Sequence, residues 1–119
     1  MKIIDRLQQQ HKLIHFDIPI NCGHMTIING YYFSFDFVIS IDEQRSCSLF
    51  IGTTRLYDLT INKLTDHLRN FTTDHPFHIV RYQRGHYRLL DPDGFDYIGQ
   101  YVSLKDAKRT CKGNFTYGG

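Results

Sequence analysis

The stretch Met25-Thr-Ile-Ile-Asn-Gly-Tyr-Tyr-Phe-Ser-Phe-Asp-Phe-Val-Ile-Ser-Ile41 decides the fold. Asn29-Gly30 supplies two residues that tolerate positive φ, as a type I′ turn demands, so the pattern predicts a hairpin of residues 25–28 against 31–41. Beyond that turn Tyr31, Phe33, Phe35, Phe37 and Ile39 fall on one face, and Tyr32, Ser34, Asp36, Val38 and Ser40 on the other. A period of two with one apolar face is the mark of an antiparallel sheet, because a helix would scatter these aromatic side chains all round.

Working outward, the same order of elements runs twice. Residues 46–51 extend the first sheet. Ile61, Leu64, Leu68 and Phe71 then recur at helical spacing, with Thr60 or Asp58 placed to cap the start and Pro76 to follow the end. Phe77–Gln83, His86–Leu90 and residues 95–102 read as a meander, joined by Arg84-Gly85 and by Asp91-Pro92-Asp93-Gly94. Ser103-Leu104-Lys105-Asp106 resembles a capping box that opens a second helix, on which Leu104, Ala107 and Cys111 share a face. Ahead of all this, Ile3, Ile4 and Leu7 predict a short N-terminal helix. Ile14, Phe16, Ile18 and Ile20 predict an edge strand, since Pro19 removes a ladder donor. The tail 113–119 is expected to be loose. The expectation is a single α+β domain over residues 1–119: an antiparallel sheet carrying two main helices and a short N-terminal one.

Composition narrows the function classes. A 119-residue chain with 41% hydrophobic and 22% charged residues has the make-up of an ordinary globular protein. It has no apolar run of membrane-spanning length and no export-type leader, so a cytoplasmic protein without membrane contact is expected. Cys22, Cys47 and Cys111 are odd in number and lack metal-type spacing, and the seven histidines are dispersed, so no metal and no cofactor is expected. Charge is uneven. Residues 75–119 carry seven Lys/Arg against four Asp/Glu, whereas residues 1–74 carry seven against eight. An acidic partner would therefore meet the second half, and Arg81, Arg84, His86, Arg88, Lys105, Lys108 and Arg109 are its candidate binding residues.

Three resemblances bear on function. Tyr87-Arg-Leu-Leu-Asp-Pro-Asp-Gly, followed by Tyr97-Ile-Gly-Gln-Tyr-Val-Ser-Leu-Lys-Asp-Ala-Lys-Arg109, resembles a hairpin-then-helix module of small phage and prophage proteins, some anti-CRISPR proteins among them. That resemblance implies a non-enzymatic inhibitor, bound to a host protein or ribonucleoprotein complex. Second, Asn21-Cys22-Gly23, His78-Ile-Val and Gly85-His-Tyr-Arg-Leu-Leu-Asp91-Pro resemble parts of papain-like cysteine peptidases of the bacteriocin-processing type. Cys22, His78 and Asp91 would then be nucleophile, base and orienting acid. The chain departs from that family where Phe16 and Asp17 stand in place of the expected oxyanion glutamine. Third, Gly30-Tyr31-Tyr32-Phe33-Ser34-Phe35 resembles the aromatic signature strand of RNA-recognition domains. With Arg81, Arg84, Arg88, Lys105, Lys108, Arg109 and Lys112 facing phosphates, it implies nucleic-acid contact.

Overall fold

Leu7 is fully buried on the first helix, α1 (Ile3–Gln10), of this computed structural model, which describes residues 3–118. The side-chain amide of Gln8 donates to the carbonyl oxygens of His11 and Ile14, where the chain leaves the helix. Two short strands follow, β1 (His15–Phe16) and β2 (Ile20–Cys22), with Pro19 between them. Both pair antiparallel with β3 (Met25–Tyr32) at one edge of the sheet, where a proline costs no ladder bond. The strands β4 (Phe35–Asp42), β5 (Cys47–Ile51) and β6 (Thr54–Leu59) complete the order β1-β3-β4-β5-β6, all antiparallel.

The β3–β4 turn is not where the local signal puts it. Asn29 and Gly30 lie inside β3, and the chain reverses at Phe33-Ser34, with Tyr32 opposite Phe35 and Phe33 at φ 54°. The reason is burial. This register pairs residues along the whole of both strands and places Ile28, Tyr32, Phe37, Ile39 and Ile41 together in the core. Each such side chain contributes roughly 1.5–3 kcal/mol when buried, more than a turn preference or one strained φ costs. The face assignment changes with it: Tyr31 is exposed and Tyr32 buried, the reverse of the expected alternation, while Phe35 is only half-buried. Gly30 has a different job. A Cβ there would strike the His15 carbonyl oxygen and come within 2.5 Å of Phe37 Cζ, so its bare backbone is the floor on which the Phe37 ring lies.

A strand absent from the expectation, β6, returns along β5 through a two-residue turn at Gly52-Thr53, where Gly52 has φ 56°. The helix α2 (Ile61–Asp74) is capped by Thr60, whose hydroxyl accepts the amide of Lys63 at 3.2 Å, and it buries Leu64, Thr65 and Leu68. The chain forms two compact units, Met1–Asn70 and Phe71–Gly119, and α2 carries the boundary.

In the second unit β7 (Phe77–Gln83) and β8 (His86–Leu90) form the expected hairpin, turning at Arg84-Gly85 with Gly85 at φ 78°. Asp91 closes the next turn by accepting the amides of Asp93 and Phe95. The third meander strand does not form. Residues 95–102 form isolated bridges to β8 at Leu90↔Asp96 and Tyr87↔Val102, and the Tyr97 amide donates to the Leu89 carbonyl; between Asp96 and Val102 the chain loops out, with the Asp96 carboxylate taking the Gly99 amide. Ser103 caps α3 (Leu104–Thr110) by accepting the Asp106 amide, and Ala107 and Cys111 are buried on its inner face. The tail is not loose as far as Gly118: β9 (Phe115–Gly118) pairs parallel with β7, and Asn114 ties in through its carbonyl to the Phe77 amide and its side chain to the Thr72 carbonyl. Gly119 lies outside the described residues. Among those residues, three helices and nine strands make an α+β fold, with antiparallel pairing everywhere except between β7 and β9.

Candidate binding surface

The alternation of β7 sets the surface. Phe77 and Ile79 point into the core and Leu89 of β8 joins them, so Val80 and Arg88, paired across the ladder, share the opposite face. Tyr82 sits at the bulge between Arg81 and Gln83 and is 60% exposed. The ring of Tyr101, delivered by the looped segment before Val102, stacks on it at 4.4 Å between centroids and 19° between planes. The Tyr82 hydroxyl beside it raises the Tyr101 pKa by favouring its neutral form. Arg88 holds its guanidinium over the Tyr101 ring at 5.9 Å and grips Asp96 Oδ2 through Nε and Nη2, at 3.2 and 3.0 Å. The carboxyl of Asp96 lies below its ordinary pKa, first because of the Gly99 amide and then because of Arg88. His86 meets Tyr101 edge-on at 6.5 Å.

A second tyrosine pair, Tyr87 and Tyr117, stands near Arg81, with centroids 6.2 Å apart, and the Tyr87 hydroxyl raises the Tyr117 pKa. Residues 75–90 contain no Asp or Glu. Arg81, Arg84 and His86 are exposed here, and neither arginine forms a salt bridge among the described residues. The hairpin end is thus a cationic tip flanked by ordered, partly exposed tyrosines.

The seven candidate binding residues divide accordingly. Arg81, Arg84, His86 and Arg88 gather at this hairpin end, although Arg88 is already engaged by Asp96. Lys105, Lys108 and Arg109 are exposed on α3, where Lys108 lies 5.7 Å over the Phe115 ring and Arg109 stands 3.9 Å from Asp106. The last two also sit in the final turn, where the helix dipole favours cations. Sequence reading missed Tyr82 and Tyr101. The outward register of Tyr82 was readable, but no spacing rule joins it to a residue in an irregular loop.

The alternative catalytic residues have other partners. Cys22 is exposed at the end of β2, in the first unit. In the second, His78 Nδ1 faces Thr116 Oγ1 at 2.5 Å, and Asp91 Oδ1 takes two amides of its own turn. The base and its proposed orienting acid are therefore each committed elsewhere. In the stretch resembling an RNA-recognition strand, Tyr32 is buried and Tyr31 stacks on His15 at 4.6 Å. Among the described residues, no group of three or more His, Cys, Asp and Glu is placed to hold a metal ion, and no helix is long and apolar enough to cross a membrane. Compared with protein-family models, curated proteins and solved structures, the chain has no match.

Proposed function

We propose that this chain is a non-enzymatic binding protein that presents the β7–β8 hairpin end to an acidic surface of a partner. The carrying observation is the acid-free run 75–90, in which Arg81 and Arg84 form no salt bridge among the described residues and flank in sequence Tyr82, an exposed ring stacked on Tyr101. Tyrosine and arginine are the side chains enriched at interface centres, because they bury large area at little entropy cost and still hydrogen-bond. The structural role of Arg88 fits this reading: it holds Tyr101 and Asp96 in place, so the tip is ordered before any partner arrives. The particular form of the proposal follows the hairpin-then-helix resemblance. It is a phage-encoded inhibitor that occludes part of a host defence protein or ribonucleoprotein complex.

The test is capture from a bacterial lysate by wild type and by an Arg81→Glu/Arg84→Glu variant, each with and without nuclease treatment. Loss of the captured complex in the variant, at least tenfold at low ionic strength and smaller at high salt, is expected. A Lys12→Glu/Lys63→Glu control in the first unit should capture as wild type does. Capture unaffected by the arginine reversals would remove the hairpin end as the contact surface. Activity lost on Cys22→Ala in folded protein would replace this reading with thiol chemistry.

A further inference from the structure

We infer that the ligand taken by the hairpin end is single-stranded nucleic acid, with a base laid on Tyr82 and a neighbouring phosphate on Arg84. The inference rests on the reading of this end as the contact surface and adds the chemistry of what is read. A cationic tip alone would suit any polyanion. The rings distinguish among them.

Tyr82 is covered on one side by Tyr101, and 60% of it remains exposed. What it offers a ligand is the face turned away from Tyr101. The ring is also fixed in advance. Tyr101 carries Arg88 above it at 5.9 Å, and Arg88 is anchored to Asp96 at 3.0 Å. A fixed aromatic face with unpaired arginine close by in sequence is what an unstacked base and its phosphate require, and stacking accepts any base because each has a π-face. An acidic protein surface would use the arginines and bury the ring as one more contact, whereas a base meets it with a flat π-face of its own. A duplex hides its base faces inside the stack and would use the arginines alone. On the other face of the hairpin Arg81 lies by the tilted Tyr87–Tyr117 pair, where Tyr117 is 52% exposed.

The chain contains no tryptophan, so Tyr82→Trp introduces a single indole reporter at the stacking position. The experiment titrates the purified chain at low ionic strength with fluorescein-labelled oligothymidylate and oligouridylate, a blunt DNA duplex, and polyglutamate. Both single strands are expected to bind more tightly than duplex or polyglutamate, and to quench the indole of the Tyr82→Trp variant. Tyr82→Leu, shown folded by its melting curve, should weaken single-strand binding roughly tenfold, the loss of one base–aromatic stack. Arg84→Gln should flatten the log affinity–log salt slope by about 0.7, one phosphate contact on a single strand. Single-strand binding that survives Tyr82→Leu unchanged, or that duplex matches, overturns the inference. Polyglutamate bound through Arg84 while oligonucleotides are refused also overturns it, yet leaves the acidic-partner reading standing. Refusal of all four ligands, together with lysate capture indifferent to the arginines, sinks both.

Discussion

The hairpins β3–β4 and β7–β8 were both announced by a glycine-containing dipeptide, and only the second turns there. At Asn29-Gly30 the local preference was overruled, because obeying it would break the pairing of two eight-residue strands and expose a buried set including Ile28, Tyr32 and Phe37. At Arg84-Gly85 every residue from Arg81 to His86 is exposed, so no burial competes and the turn chemistry decides. Local rules hold where the flanking side chains are wet. They yield where several large side chains can be buried by shifting the register.

The sharpest way to break this comparison is to remove the burial term. Phe37→Ala should cost roughly 3–5 kcal/mol in urea unfolding, as deletion of a buried ring does. Tyr82→Ala, at the exposed hairpin, should stay within about 1 kcal/mol of wild type. Equal losses would show that the β3–β4 register is not held by its core face.

Acid sensitivity comes next in size and belongs to the first unit. His11 is 5% exposed and its Nε2 has no hydrogen-bond partner among the described residues; burial first, then the charge of Arg69, lowers its pKa from the ordinary 6.5 to about 4. The unfolded imidazole takes its proton near pH 6.5 and the folded one only near 4. Stability is therefore fully present above pH 6.5, falls as pH drops through the window between, and has lost its share below 4. At about 1.4 kcal/mol per pH unit, that share is roughly 3 kcal/mol. His11→Leu should flatten this portion of the urea midpoint–pH curve, and an unchanged slope would refute the assignment.

The glycines test the comparison directly. Gly30→Ala should cost about 1–3 kcal/mol, because its methyl group meets the His15 carbonyl oxygen and the Phe37 ring. Gly85→Ala meets open space and pays only for its positive φ, about 1 kcal/mol. Smallest of all, Asn29→Ala should fall within about 0.5 kcal/mol, since Asn29 makes no turn. If Asn29→Ala proves the costliest of these three in thermal melts, the turn lies at Asn29-Gly30 after all.

Much was legible without coordinates. Phe77–Gln83, His86–Leu90 and the Ser103 cap stand where alternation and cap chemistry put them, and Cys111 is the small core residue its helical spacing implied. The candidate surface was half legible: the arginines show in the charge count, while Tyr82 and Tyr101 do not. Elements whose energy is local, such as alternating strands, exposed turns and a helix cap, were determined by the sequence itself. Tertiary structure alone decided the Phe33-Ser34 turn, the parallel seat of β9 beside β7, and the meeting of Tyr82 with Tyr101. Each of these depends on partners remote along the chain, and the free energy of burying or stacking one side chain on another exists only once the fold has brought the two together.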